Sequence, residues 1–209
     1  MNDPKTILEP IAGFLLDISA KLRGDFFNPH SLTKLQNLLR AKAYTGATSI
    51  IEVGSFRGVT TRRLARFFQH VHSIEIEPAL FAEAQHRCAA CKNVTMHLGD
   101  GKHILKELTP KVSRCLVFLD GHFSGGITGQ GDEPEPVLAE LDILARDLDN
   151  IVGVVVDDFR MFGFDKGWPR KSEVMARLEY VMPEPEWQHT VIYDQFISMR
   201  RSPAGSRSK

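Results

Sequence analysis

The chain has 209 residues, 43% of them hydrophobic, with 26 basic and 26 acidic side chains and an isoelectric point of about 7.1. That length buries one sizeable core and falls short of two full domains. The balanced charge offers no field to draw nucleic acid or an anionic membrane surface, and points instead to a small neutral or mixed-charge ligand. No apolar run approaches the roughly 20 residues that span a bilayer, and the start MNDPKTILEP lacks the features of a signal peptide, so a cytoplasmic protein is expected. Three cysteines, an odd number, fit a reducing compartment.

The first 45 residues carry apolar positions at helical spacing: Ile11, Phe14, Leu15, Ile18 and Leu22, then Leu32, Leu35, Leu38 and Leu39 behind Ser31 as N-cap. They predict helices that cap the domain and could serve a homodimer contact. From residue 49, β-rich runs alternate with helical ones. The predicted strands are SIIEVG (49–54), VHSIEIE (71–77), VTMHLGD (94–100), CLVFLDG (115–121) and VGVVVDDF (152–159). Helices are predicted in TTRRLARFFQ, after Pro78, in KHILKEL and in PEPVLAELDILARDL. Cys88 and Cys91 are spaced C-x-x-C inside the second of these, with no second pair to complete a zinc site, and read as packing cysteines.

Strands apolar at successive positions are covered on both faces, as in a parallel sheet flanked by helices. The fold class is therefore α/β, doubly wound and Rossmann-like, with a mostly parallel sheet. After the fifth strand, Ser172 reads as the cap of a helix EVMARLEYVM that stops before Pro183. HTVIYDQFISMRR reads as an antiparallel hairpin around Asp194 and Gln195. One domain results, with a helical cap at 1–45, a ligand-binding body at 46–201 and a frayed polar tail at 202–209. The Gly-rich segment FSGGITGQGDEPEP (123–136) has the length of a lid or binding loop, or of a mobile surface loop.

In an open parallel sheet ligands bind beyond the carboxyl ends of the strands. Each predicted strand ends in acid there: Glu52, Glu75 with Glu77, Asp100, Asp120, and Asp157 with Asp158. The first turn, EVGSFRGVTT, offers Gly54, Gly58 and Thr60 at the start of a helix, where a ligand can approach the backbone and free N–H donors. Its Gly-x-x-x-Gly spacing does not indicate a pyrophosphate. Glu75 suits ribose hydroxyls, and Asp100 is either an acceptor for an exocyclic amine or a helix cap.

EVGSFRGVTT, SIEIEP, LGDG and FLDG, in this order and spacing, resemble the motifs of class I S-adenosylmethionine-dependent methyltransferases, closest to the catechol and macrocin O-methyltransferase type. The resemblance covers roughly residues 49–160 and implies methyl transfer from S-adenosylmethionine to a hydroxyl of a small molecule. It places Gly54, Ser55, Gly58 and Thr60 against the methionine part of the cofactor and Glu52 near its amino end. Glu75 and Ile76 would hold the ribose, and Asp100 and Gly101 the adenine, with Asp120 at the reaction centre. It also implies a divalent cation, magnesium by preference, on Asp120, Asp157 and Asp158.

Simple electrostatics agrees: two carboxylates ~4 Å apart repel by about 4 kcal/mol at an effective dielectric near 20, so a converged trio needs a proton or a cation. Oxygen donors select a hard ion. The alternative is that one acid of the pair faces solvent or caps a turn while the other pairs with a base such as Arg160.

The chain departs from that family where a lysine, acting as base, follows the fourth-strand acid by three positions; here the residue is Phe123. His122 is the substitute base, or else a surface residue. Trp168 and Pro169 either help close over the acceptor or pack. A metal-independent methyltransferase and a non-catalytic S-adenosylmethionine-binding module are the competing readings.

Overall fold

The structure, a computed structural model, describes residues 31–121, 135–164 and 167–201, together with Leu15, Leu16, Ile18, Ser19 and residues 22–24. His122, the loop at 123–134, the tail at 202–209 and most of the N-terminal cap lie outside the described residues. Helix α1 (Ser31–Thr45) precedes β1 (Ser49–Val53), α2 (Val59–Leu64), β2 (His70–Glu75), α3 (Pro78–Cys88) and β3 (Val94–Leu98). Then come α4 (Gly101–Leu108), β4 (Cys115–Leu119), α5 (Val137–Leu144), β5 (Ile151–Val156), α6 (Lys171–Val181), β6 (Trp187–Ile192) and β7 (Gln195–Arg200).

The strands form one sheet in the order β3-β2-β1-β4-β5-β7-β6. β1 to β5 pair in parallel, and β7 runs antiparallel to both β5 and β6. The order reverses between β1 and β4, the switch point at which ligands of such sheets bind.

Sequence pattern accounts for this placement. All residues of β1 and β4 are buried, as the unbroken apolar run of β4 and the Ile50, Ile51 and Val53 positions of β1 require at the centre of a sheet covered on both sides. Side chains alternate between two cores. On one side Ile51, Val117 and Val154 meet Leu105, Leu141 and Leu178 of α4, α5 and α6. On the other, Ile50, Leu116 and Val155 meet Leu35, Leu38 and Ala41 of α1 and Leu64 of α2. The N-terminal cap thus supplies a wall of the main core through α1. β3 lies at an edge, with Leu98 50% exposed, so its expected cover is one-sided.

Two local expectations change. Ser172 sits inside α6 rather than capping it; the Glu173 carboxylate accepts the Arg170 N–H at 2.6 Å, so the cap is Arg170, ahead of Lys171. The hairpin turns at Tyr193 and Asp194, with Ile192 paired to Gln195, and Tyr193 takes a positive φ of 54°, as two-residue hairpin loops demand. No helix among the described residues is long and apolar enough to cross a membrane.

Because Leu38 is fully buried between α1 and the sheet, Leu38→Ala is expected to lower unfolding free energy by about 2–5 kcal/mol. Denaturant unfolding measures it, and a loss below ~1 kcal/mol would mean that α1 is an appendage.

Candidate active site

The sheet delivers its strand ends level with one another. Val53 pairs with Leu119 and Leu119 with Val156, and the ladder continues one residue further. Gly54 N–H donates to the Ile74 carbonyl, Asp120 N–H to Val53, and Asp157 N–H to Leu119, each at 3.0 Å. Gly54, Asp120 and Asp157 therefore stand in one row across the switch point.

Gly54 has φ 91°, and a Cβ there would lie 2.4 Å from the Asp120 carbonyl oxygen, so only glycine lets the turn pass this close to the neighbouring strand. Gly58, at φ 73°, opens α2 with no side-chain cap, and a Cβ there would meet Ala84 at 2.9 Å. Thr60 follows, half-buried, in the first turn. Beneath this turn Glu52 is fully buried, and its Oε2 accepts hydrogen bonds from Thr61 Oγ1 at 2.5 Å and Ser73 Oγ at 2.6 Å. Ser55 Oγ completes the group at 2.6 Å from Ser73 Oγ. Burial pushes the Glu52 carboxyl up to about 7 despite those hydroxyls. Glu52 thus supports the turn from below.

Glu75 ends β2 with both carboxylate oxygens fixed: Oε2 accepts Phe56 N–H at 2.7 Å and Oε1 accepts Glu77 N–H at 3.0 Å. The acid thereby locks the glycine turn to the end of β2. Burial raises its pKa against these backbone donors. Ile76 lies half-buried beside it. Asp100 caps α4, its Oδ1 accepting Lys102 N–H at 2.7 Å, and Gly101 opens that helix. Of the two roles open for Asp100, the cap is the one observed.

The three acids at the ends of β4 and β5 converge on a lysine. Lys34 Nζ of α1 lies 2.5 Å from Asp157 Oδ2 and 3.4 Å from Asp158 Oδ1. Burial alone would lower the Lys34 pKa, but the charges of Asp120, Asp157 and Asp158 raise it above the ordinary lysine value. Asp120 is held well above the carboxylate range by burial and by the Asp157 charge beside it. Asp158 also accepts from Arg160 Nη1 at 2.9 Å. Arg160 in turn pairs with the buried Asp194 of the hairpin turn, whose Oδ1 also accepts the Arg160 backbone N–H at 2.6 Å. Asp158 takes this position with φ 48°, a left-handed conformation that Asp adopts more readily than most residues.

The pairing of Asp158 with Arg160 was the alternative reading of the acidic pair; Lys34 and Asp194 were not anticipated. The signal for Lys34 was spacing: it lies four residues before the buried Leu38 and seven before Ala41, on the sheet-facing stripe of α1. Trp168 packs edge-on against Phe162, ring centres 5.0 Å apart, and joins the core. Cys88 is buried under the glycine turn, its thiol 3.8 Å from the Gly58 carbonyl, as expected of a packing cysteine. Among the described residues, no group of three or more His, Cys, Asp or Glu is arranged to hold a metal ion.

No family model and no curated protein matches the chain. Solved structures do. It is similar to an O-methyltransferase from Bacillus cereus in complex with SAH, at 17% identity over 97% of this chain and 93% of that chain, TM-score 0.60. It is similar to the O-methyltransferase TomG from Streptomyces achromogenes, involved in tomaymycin synthesis and in complex with SAM, at 20% identity over 91% and 90%, TM-score 0.58. CalS10 from Micromonospora echinaspora, an amino pentose methyltransferase bound to SAM, aligns at 15% identity over 88% and 96%, TM-score 0.53. The chain has the Rossmann-like fold of these methyltransferases, a seven-stranded mostly parallel sheet ending in an antiparallel hairpin.

Glu52 makes stability depend on pH in a calculable direction. A carboxyl raised from 4.5 to about 7 keeps its proton in the folded state where the unfolded chain has lost it. Its contribution is present below pH 4.5 and is lost as pH rises through about 7. Glu52→Gln, neutral throughout, is expected to remove up to roughly 3 kcal/mol of that slope and to gain on wild type at pH 8. Urea unfolding of both chains at pH 5 and pH 8 checks it; parallel pH slopes would refute it.

Proposed function

We propose that the chain is an S-adenosylmethionine-dependent methyltransferase acting on a hydroxyl of a small acceptor. The observation that carries the reading is the glycine turn. Gly54 brings backbone against the Asp120 carbonyl where a Cβ would intrude, and Glu75 is locked to the same turn by Phe56 N–H. These residues fit the cofactor: Gly54, Ser55, Gly58 and Thr60 would take its methionine part, Glu75 and Ile76 its ribose, and Asp100 and Gly101 its adenine. Bound there, S-adenosylmethionine supplies a methyl group already activated on a sulfonium.

The chain's own task is then positioning and charge. Asp120, Asp157, Asp158 and Asp194 face Lys34 and Arg160, four acids against two bases. Acids outnumber bases there, so the edge stays net negative, favourable to a cationic cofactor. Asp120 is the described candidate for receiving the acceptor's proton, because its raised pKa brings it nearer the working range of a general base; His122 is the second. A divalent cation on Asp120, Asp157 and Asp158 does not fit these residues as they stand, because the Lys34 ammonium already lies on Asp157 and Asp158.

Calorimetry with S-adenosylhomocysteine tests the reading. Wild type is expected to bind one equivalent, Glu75→Gln roughly 10-fold more weakly through loss of one charge-assisted hydrogen bond. Gly54→Ala should bind at least ~100-fold more weakly, since its Cβ has no room. Absence of binding by wild type at ~1 mM, a weak limit for a cofactor, would sink the proposal.

A further inference from the structure

We propose that the Lys34 ammonium is the built-in cation of this edge. It fills the place between Asp157 and Asp158 that a divalent ion would take, ties α1 to the end of β5, and leaves the site independent of metal. Only the meaning for turnover rests on the methyltransferase reading; the cation assignment stands on geometry.

Lys34 is where it must be for this role. Leu38 and Ala41, on the same stripe of α1, are buried against the sheet. Asn37 donates to Gln195 Oε1 at 2.9 Å, anchoring the helix to β7. The stem of Lys34 therefore leaves a fixed helix, and its head reaches a carboxylate that is itself fully buried. A magnesium ion needs close oxygen contacts at ~2.0–2.1 Å in near-octahedral array. One oxygen of each acid of the pair is already taken: Asp157 Oδ2 by Lys34, and Asp158 Oδ1 by Lys34 and Arg160 together. The Lys34 ammonium and the Arg160 guanidinium together supply the positive charge that a divalent ion would, and the ammonium donates single N–H bonds. It cannot present adjacent coordination positions, so the acceptor needs one hydroxyl and not two neighbouring oxygens.

Manganese binding followed by electron paramagnetic resonance decides the question without an acceptor. Wild type is expected to show no Mn2+ site with Kd below ~1 mM, and its thermal midpoint should not move with Mn2+ or EDTA. Lys34→Met strips the carboxylates of their cation and should gain one Mn2+ per chain, bound at least ~10-fold more tightly than by wild type. Adding Asp157→Asn should abolish that gain. One Mn2+ bound per wild-type chain below ~100 µM and lost in Asp157→Asn overturns the proposal, as does a folded Lys34→Met chain that gains no site. If Lys34→Met does not fold by circular dichroism, the wild-type and Asp157→Asn titrations decide alone, absence of a site supporting it and presence overturning it. S-adenosylhomocysteine calorimetry on the same samples fails separately: no binding there defeats the methyltransferase reading and leaves the manganese result standing.

Discussion

The parallel register of β1, β4 and β5 is the constraint from which the site follows. Val53, Leu119 and Val156 pair in one row, and one further hydrogen bond on each strand sets Gly54, Asp120 and Asp157 side by side. A slip of one residue would turn every side chain to the opposite face and send acids into the two apolar cores. The burial of those cores therefore fixes where the carboxylates stand. Gly54 is a consequence of the same row, since the Asp120 carbonyl leaves no room for a side chain.

Aligned acids carry a cost that the sheet cannot meet by itself. Asp157 is fully buried and Asp120 lies against it, and like charges so placed hold a proton or attract a cation. Both responses are present: Asp120 is pushed toward its protonated form, and Lys34 arrives from α1. On the far side Arg160 joins Asp158 to Asp194, so the hairpin between β6 and β7 is drawn into the same network. The left-handed turn at Asp158 is held between these two cations.

Legibility in the sequence followed the range of the interactions. The strands, their parallel arrangement and the edge on which acids gather were readable, because unbroken valine and leucine runs and short Gly-containing turns are local signals. Asp100 as a cap was readable to within two alternatives. Lys34 was not read, because its partners lie more than 120 positions away in sequence and a lysine in an amphipathic helix is by default a solvated one. Glu52 was placed near the cofactor's amino end from motif position alone; its hydrogen-bond partners, Thr61 and Ser73, come from the next helix and the next strand and could not be read locally. Turn geometry displaced the α6 cap from Ser172 to Arg170 and the hairpin turn by a single residue, the usual uncertainty of element ends.

Carrying the cation on the chain, rather than taking it from solution, joins the site to folding. The helix that supplies Lys34 also supplies Leu38 and Ala41 to the core and Asn37 to Gln195, so its docking and the neutralisation of Asp157 are one event. Undocking α1 would expose apolar surface and leave a buried carboxylate uncompensated together, two costs that reinforce each other. The acidic edge should accordingly open with α1 as one cooperative unit, at a free energy closer to global unfolding than to the fraying of a loop. A metal site of the same acids would instead vary with the supply of the ion, through mass action.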